Sequence, residues 1–154
     1  MTNVQEPELD ELYRDLILDH YRHPRNKGSL DHPTAKVEGY NPLCGDEVEI
    51  ELDVDDEGVI EDVAFMGRGC SISQASSSMM TDAVKGHTKA EALALLDKFK
   101  RMMMEPEEAP AEELGDLEAF QGVAKFPVRV KCATLAWHVL EEGLEKNGGT
   151  VEER

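Results

Sequence analysis

Between Glu47 and Asp53 acidic residues alternate with Val48, Ile50, Leu52 and Val54. Successive side chains of a strand point to opposite faces, so this spacing buries one face and wets the other. The run "DDEG" that follows supplies a turn, with Gly58 free to take positive φ. Val59, Val63 and Phe65 mark a returning strand less regularly, and residues around Lys36 to Tyr40 add a short third one. A chain patterned this way is committed to a small antiparallel sheet with one covered face, and its helices must provide the cover.

Four segments read as helices. Leu9, Leu12, Tyr13, Leu16, Ile17 and His20 recur along "PELDELYRDLILDHYRHP", with Pro7 able to start the helix and Pro24 to stop it. His20 lies on the apolar stripe and reads as a packed histidine, whereas His23 and His32 read as loop residues. In "GRGCSISQASSSMMTDAVKG", Ile72, Ala75, Ser76, Met79, Met80 and Ala83 share one face. There Gly67 and Gly69 make the strand-to-helix turn, and Gly86 ends the helix. Thr88 and Glu91 form a capping box that opens "KAEALALLDKFKRMM". In the last helix, "PVRVKCATLAWHVLEEGLEK", Val128, Cys132, Leu135, Ala136, Val139 and Leu140 share a face, and His138 lies off it. Pro127 suits its first turn, and Gly148 and Gly149 end it. Met102 to Met104 read as packing residues, since Met fills irregular gaps. The stretch "MEPEEAPAEELGDLE" reads as an acidic, partly mobile insertion around residues 100–118.

At 154 residues the chain reads as one domain, 1–154, long enough to bury a core without disulfide staples. Its net charge of -17 repels phosphate backbones, which argues against nucleic acid as a partner. The charge is explained by solubility or, more sharply, by a docking face for a basic partner. No run is long enough to span a bilayer and no signal peptide is apparent, so a cytoplasmic location is expected, where thiols stay reduced.

The cysteines are Cys44, Cys70 and Cys132, an odd number that argues against a disulfide framework. Each falls where an element changes: before the first long strand, at the strand-to-helix turn, and near the start of the last helix. Such ends can converge, and helix N-termini favour thiolate. Asp46 stands two positions after Cys44 and, in an extended chain, on the same face. On spacing alone, two readings stay open: three buried core thiols, or one site in which three thiolates and the Asp46 carboxylate hold a tetrahedral ion.

The stretches "DHYRHPRNKG", "NPLCGDEVEI", "GRGCSISQASSSMM" and "FPVRVKCATLAWHVL", in this order, resemble the IscU/NifU-N superfamily of iron–sulfur assembly proteins over nearly the whole chain. Within it the chain is most similar to the SufU-like branch. The Lys85-to-Phe126 stretch is long, as in that branch. Lys131 stands before Cys132, where IscU-like members carry a histidine, and "AKFPVRVKCA" replaces their "LPPVK" motif.

The resemblance implies an α+β fold of SufE/NifU-N type, a three-stranded antiparallel sheet with helices packed on one face. It implies Zn²⁺ held by Cys44, Asp46, Cys70 and Cys132, with Cys44 as sulfur acceptor and Arg129 as a supporting residue close to the metal. It implies a sulfurtransferase that accepts persulfide sulfur from a pyridoxal-phosphate cysteine desulfurase of SufS-like type, activates that enzyme, and serves a downstream SufBCD-type scaffold. The alternative is an IscU-like scaffold on which a [2Fe–2S] cluster is assembled.

Overall fold

The computed structural model describes residues 5–43, 45–105, 111–146 and 148–152. Helix α1 (Gln5–Arg22) leads into strands β1 (Ala35–Asn41), β2 (Asp46–Val54) and β3 (Ile60–Arg68). Helices α2 (Ser71–Val84) and α3 (Lys89–Met104), a 3₁₀ segment (Ala111–Lys125), α4 (Pro127–Lys146) and strand β4 (Gly148–Glu152) complete the chain.

The three expected strands form the antiparallel sheet, with Val37 opposite Ile50 and Ile50 opposite Phe65. The inward residues Val37, Val48, Ile50, Leu52, Val63 and Phe65 are buried, as the alternation requires. The Asp55 side chain closes the hairpin turn, accepting the N–H groups of Glu57 and Val59 at 2.9 Å each. A fourth strand absent from the sequence reading, β4, pairs with β1 in parallel and gives the order β3-β2-β1-β4. The edge of β3 is closed by the loop after α1, where Gly28 N–H donates to Phe65 O (2.9 Å) and Phe65 N–H to Asn26 O (3.0 Å). Unpaired edge groups are thereby satisfied.

Helix α4 packs on β1 and β2, and α2 lies between α1, α4 and β3. Gly143 sets the height of α4 above the sheet. A Cβ there would stand 3.0 Å from Leu52 Cδ1 and 3.3 Å from Val37 Cγ2. On the far side of α4, Trp137 stacks on Phe99 of α3 at 4.5 Å between centroids, and Phe120 meets Phe99 edge-on at 5.8 Å. These three rings are fully buried and carry much of the apolar area of the second core layer.

Three departures from the sequence reading have physical causes. Helix α2 is buried around most of its circumference, not along one stripe, and it achieves this by bonding its hydroxyls internally. Ser76 Oγ donates to Ala133 O (2.6 Å) and accepts from Trp137 Nε1 (3.2 Å), while Ser77 Oγ donates to Ser73 O (3.0 Å). Val128, placed on the apolar face of α4, is 66% exposed, because the first turn of α4 projects past the core. Of the three consecutive methionines, Met102 and Met103 are buried while Met104 is exposed. The acidic stretch expected around 100–118 begins as the last turn of α3 and continues in the 3₁₀ segment, whose Leu114 and Leu117 are buried. Residues 106–110 lie outside the described residues.

His20 is packed, as its position on the stripe predicts. Its Nδ1 lies 2.8 Å from Ser78 Oγ, which also accepts the Arg25 N–H at 2.8 Å. Burial, helped by the nearby Arg25 charge, pushes the His20 pKa below its ordinary 6.5, against the opposing Asp19, Asp82 and Asp116 carboxylates. The folded pKa is the lower one, so the unfolded chain takes up the proton first. Stability contributed by neutral His20 is complete above pH 6.5 and is lost as pH falls below it. Denaturant melts between pH 7 and 5 should show this component in wild type and lack it in His20→Gln.

Candidate metal centre

Three elements deliver their ends to one point. Asp46 opens β2, Cys70 is the N-cap of α2, and Cys132 sits in the second turn of α4. One carboxylate oxygen and the two sulfurs lie within 4.8 Å of one another. Among the described residues no other group of three His, Cys, Asp or Glu side chains is so arranged. Asp46 and Cys132 are fully buried and Cys70 is half-buried.

The Asp46 carboxylate is tied down locally. Its Oδ1 accepts the Cys70 N–H at 3.0 Å, and its Oδ2 lies 4.0 Å from Cys70 Sγ. This closeness requires glycine at the preceding position. Gly69 has φ +152, and a Cβ added there would stand 2.3 Å from Asp46 Oδ1 and 3.1 Å from Asp46 Cα. The sequence marks Gly69 as a turn residue, but its contact with Asp46 is a tertiary fact.

The Cys70 sulfur accepts the Ser73 N–H at 3.4 Å, so it caps the helix with sulfur in place of the usual oxygen. The Cys70 thiol is lowered to about 6, chiefly by a hydrogen bond from the Cys132 thiol and then by the Ser73 and Ile72 N–H groups, against the opposing effects of burial and the Asp46 charge. Donors converging on a sulfur at a helix start favour thiolate, the metal-binding form.

Cys44 lies outside the described residues, and its sequence neighbours Leu43 and Gly45 both donate to Asn41. Asn41 O accepts the Gly45 N–H at 2.8 Å, and Asn41 Oδ1 accepts the Leu43 N–H at 3.1 Å. Leu43 is 71% exposed. Arg129 and Lys131 fall in the first turns of α4, Arg129 exposed and Lys131 half-buried. None of the five histidines joins Asp46, Cys70 and Cys132. His23, His32 and His87 are exposed, and His138 is half-buried.

The donor set fits a thiophilic divalent ion. Zinc–ligand bonds of roughly 2.0–2.3 Å at tetrahedral angles place donor atoms about 3.5–3.8 Å apart. Two thiols and a buried carboxylate within 4.8 Å need only a small contraction to meet that spacing. Two sulfurs with oxygen favour zinc or iron over magnesium or calcium.

The profile described as NifU-like N terminal domain matches residues 12–146. The zinc-dependent sulfurtransferase SufU of Bacillus subtilis (strain 168) is 49% identical over 141 residues, which cover 92% of this chain and 95% of that protein. The iron–sulfur cluster assembly scaffold protein IscU of Streptococcus pyogenes serotype M1 is 49% identical over 139 residues, 90% of this chain and 86% of that one. The crystal structure of a protein proposed as iron–sulfur cluster assembly scaffold for the SUF system of Fervidobacterium Islandicum AW-1 superimposes with a TM-score of 0.80. It is 37% identical, covering 85% of this chain and 95% of its own. With strands β1 to β3, helices α2 to α4 and the ends that carry Asp46, Cys70 and Cys132 all in the matched span, this chain belongs to the NifU-like N-terminal domain family.

Proposed function

We propose that the protein is a zinc-dependent sulfurtransferase that takes persulfide sulfur from a pyridoxal-phosphate cysteine desulfurase and relays it to iron–sulfur cluster assembly. The observation that carries this reading is the convergence of the Asp46 carboxylate with the Cys70 and Cys132 thiols within 4.8 Å. Cys44 is the fourth ligand and the sulfur acceptor. Bound Zn²⁺ supplies the charge that keeps the ligand thiols deprotonated at neutral pH. Asp46 and Cys132 are the buried members of the set.

In the transfer step the Cys44 thiolate attacks the outer sulfur of the donor's persulfide. The donor's sulfur–sulfur bond breaks, its cysteine leaves as thiolate, and one sulfane sulfur passes to Cys44 with no net oxidation. Clearing the donor's thiol in this way lets a SufS-like desulfurase turn over again, which is how the protein activates it. Arg129 and Lys131 offset the excess negative charge of a divalent ion with four anionic ligands. The receiver is a SufBCD-type scaffold.

Relatives named as sulfurtransferase and as scaffold share the same 49% identity, so identity does not choose between the two activities. The donor set favours sulfur transfer, since no histidine joins it among the described residues and Lys131 precedes Cys132.

Cys44→Ser is the deciding variant. Wild type should carry about one zinc per chain, raise desulfurase turnover, and show added sulfur on Cys44 by mass spectrometry. The variant should keep much of its zinc through Asp46, Cys70 and Cys132 and accept no sulfur. Sulfur found mainly on Cys70 or Cys132, or a [2Fe–2S] cluster in anaerobically purified protein, would refute the assignment.

A further inference from the structure

Cys70 at the start of α2 and Cys132 in α4 sit on helices that a buried hydroxyl joins. Ser76 Oγ donates to Ala133 O at 2.6 Å and accepts from Trp137 Nε1 at 3.2 Å. Ala133 follows Cys132 directly and Trp137 lies one turn further along α4, so two successive turns of that helix hold the hydroxyl. Ser76 itself stands about 9 Å along α2 from Cys70, at 1.5 Å of rise per residue. Ser76, Ala133 and Trp137 are all fully buried, so these bonds lie away from bulk water.

The proton of this hydroxyl is committed to Ala133 O and a lone pair to the indole, which sets both the depth and the rotation of α2 against α4 at that point. The neighbouring hydroxyl of Ser77 is equally buried, but its bond, to Ser73 O at 3.0 Å, stays within α2. A metal at this centre takes one sulfur from each helix. The two sulfurs lie within 4.8 Å and must stand about 3.5–3.8 Å apart around zinc. A displacement of α2 against α4 changes that spacing directly. The Cys70 sulfur is not free to compensate, because it also accepts the Ser73 N–H at 3.4 Å.

We propose that Ser76 is a positioning residue for the metal centre: its hydroxyl ties α2 to α4 and thereby sets the separation of the Cys70 and Cys132 sulfurs. The inference rests on the zinc-dependent reading above. The affinity of the centre is then governed in part by a residue that supplies no ligand. Linkage makes the relation reciprocal, so a bond that favours zinc is itself favoured by zinc to the same extent.

The test uses the full-length protein, stripped of metal under a reductant and titrated with Zn²⁺ against a chromophoric chelator. Ser76→Ala removes the link between the helices, while Ser77→Ala removes an equally buried hydroxyl whose bond stays within α2. Both should cost stability in denaturant unfolding. Only Ser76→Ala should weaken zinc binding, by about ten-fold, the low end of what residues that support a ligand cost. Its Co²⁺ derivative should also show shifted sulfur-to-metal charge-transfer bands, and that of Ser77→Ala should match wild type. Wild-type zinc affinity or a wild-type cobalt spectrum in folded Ser76→Ala overturns the inference, as does an equal loss of affinity in both variants. Should Ser76→Ala not fold, wild type decides. Trp137 is the chain's one tryptophan, so its indole N–H gives one resonance, which must move on zinc loading. An unmoved resonance overturns the inference. If wild type binds no zinc at all, the zinc-dependent reading fails first, which separates the two failures.

Discussion

Asp46→Ala lowers zinc affinity by at least about 100-fold, measured by competition with a chromophoric chelator. Residues that only support a ligand already cost roughly 10–100-fold when removed, and a ligand must cost at least as much. The fold should survive. In the metal-free protein the variant loses the bond to Cys70 N–H but also sheds a carboxylate that is fully buried, so the net change should stay near 1 kcal/mol. Asp46→Asn separates the two roles. Its amide oxygen can still accept from Cys70 N–H, so metal-free stability should match wild type while zinc affinity falls as in alanine. Because metal binding is folding free energy, zinc should raise the wild-type melting temperature far more than that of either variant. Equal zinc affinity in wild type and Asp46→Ala would remove Asp46 from the ligand set.

Gly69→Ala should be about as damaging, although Gly69 supplies no ligand. The added methyl carbon would fall 2.3 Å from Asp46 Oδ1 and 3.1 Å from Asp46 Cα. The carboxylate can swing away, but the backbone atom cannot. The residue also sits at φ +152, where a side chain is strained regardless of space. Together these effects should destabilise the metal-free protein by about 2–3 kcal/mol. They should also weaken zinc binding, because Asp46 can no longer reach Cys70. Denaturant unfolding and chelator competition report the two effects separately. Wild-type values in both would mean that β3 and α2 join with more slack than the structure has.

Much of the fold is legible because its signals are local. The alternation from Val48 to Val54 specifies a half-buried strand, and Asp55 and Gly58 specify its turn. Thr88 and Glu91 make both bonds of the capping box they spell. His20 is predicted as packed from its place on the stripe, and it is. The misses share a different cause. The spacing of α2 put Ser76 on its packed face, but the partners that bury the other serines, among them His20 and Arg25 at Ser78, come from elements far away in the chain. Strand β4 hides behind a glycine pair that reads only as a helix stop, because its pairing partner β1 lies about a hundred residues earlier.

The candidate site divides along the same line. The residues that resemble the family could be named one by one from the sequence. The sequence by itself determined which residue types were available: a sheet with one wet acidic face, helices with defined starts, and thiols at element ends. Only the tertiary structure decided that β2, α2 and α4 bring Asp46, Cys70 and Cys132 to one point, and that Gly69 must lack a side chain for Asp46 to reach Cys70. Strand, turn and cap are set by neighbours along the chain. The distance between Asp46 and Cys132 is set by how α4 rests on the sheet, which depends on packing among residues far apart in sequence.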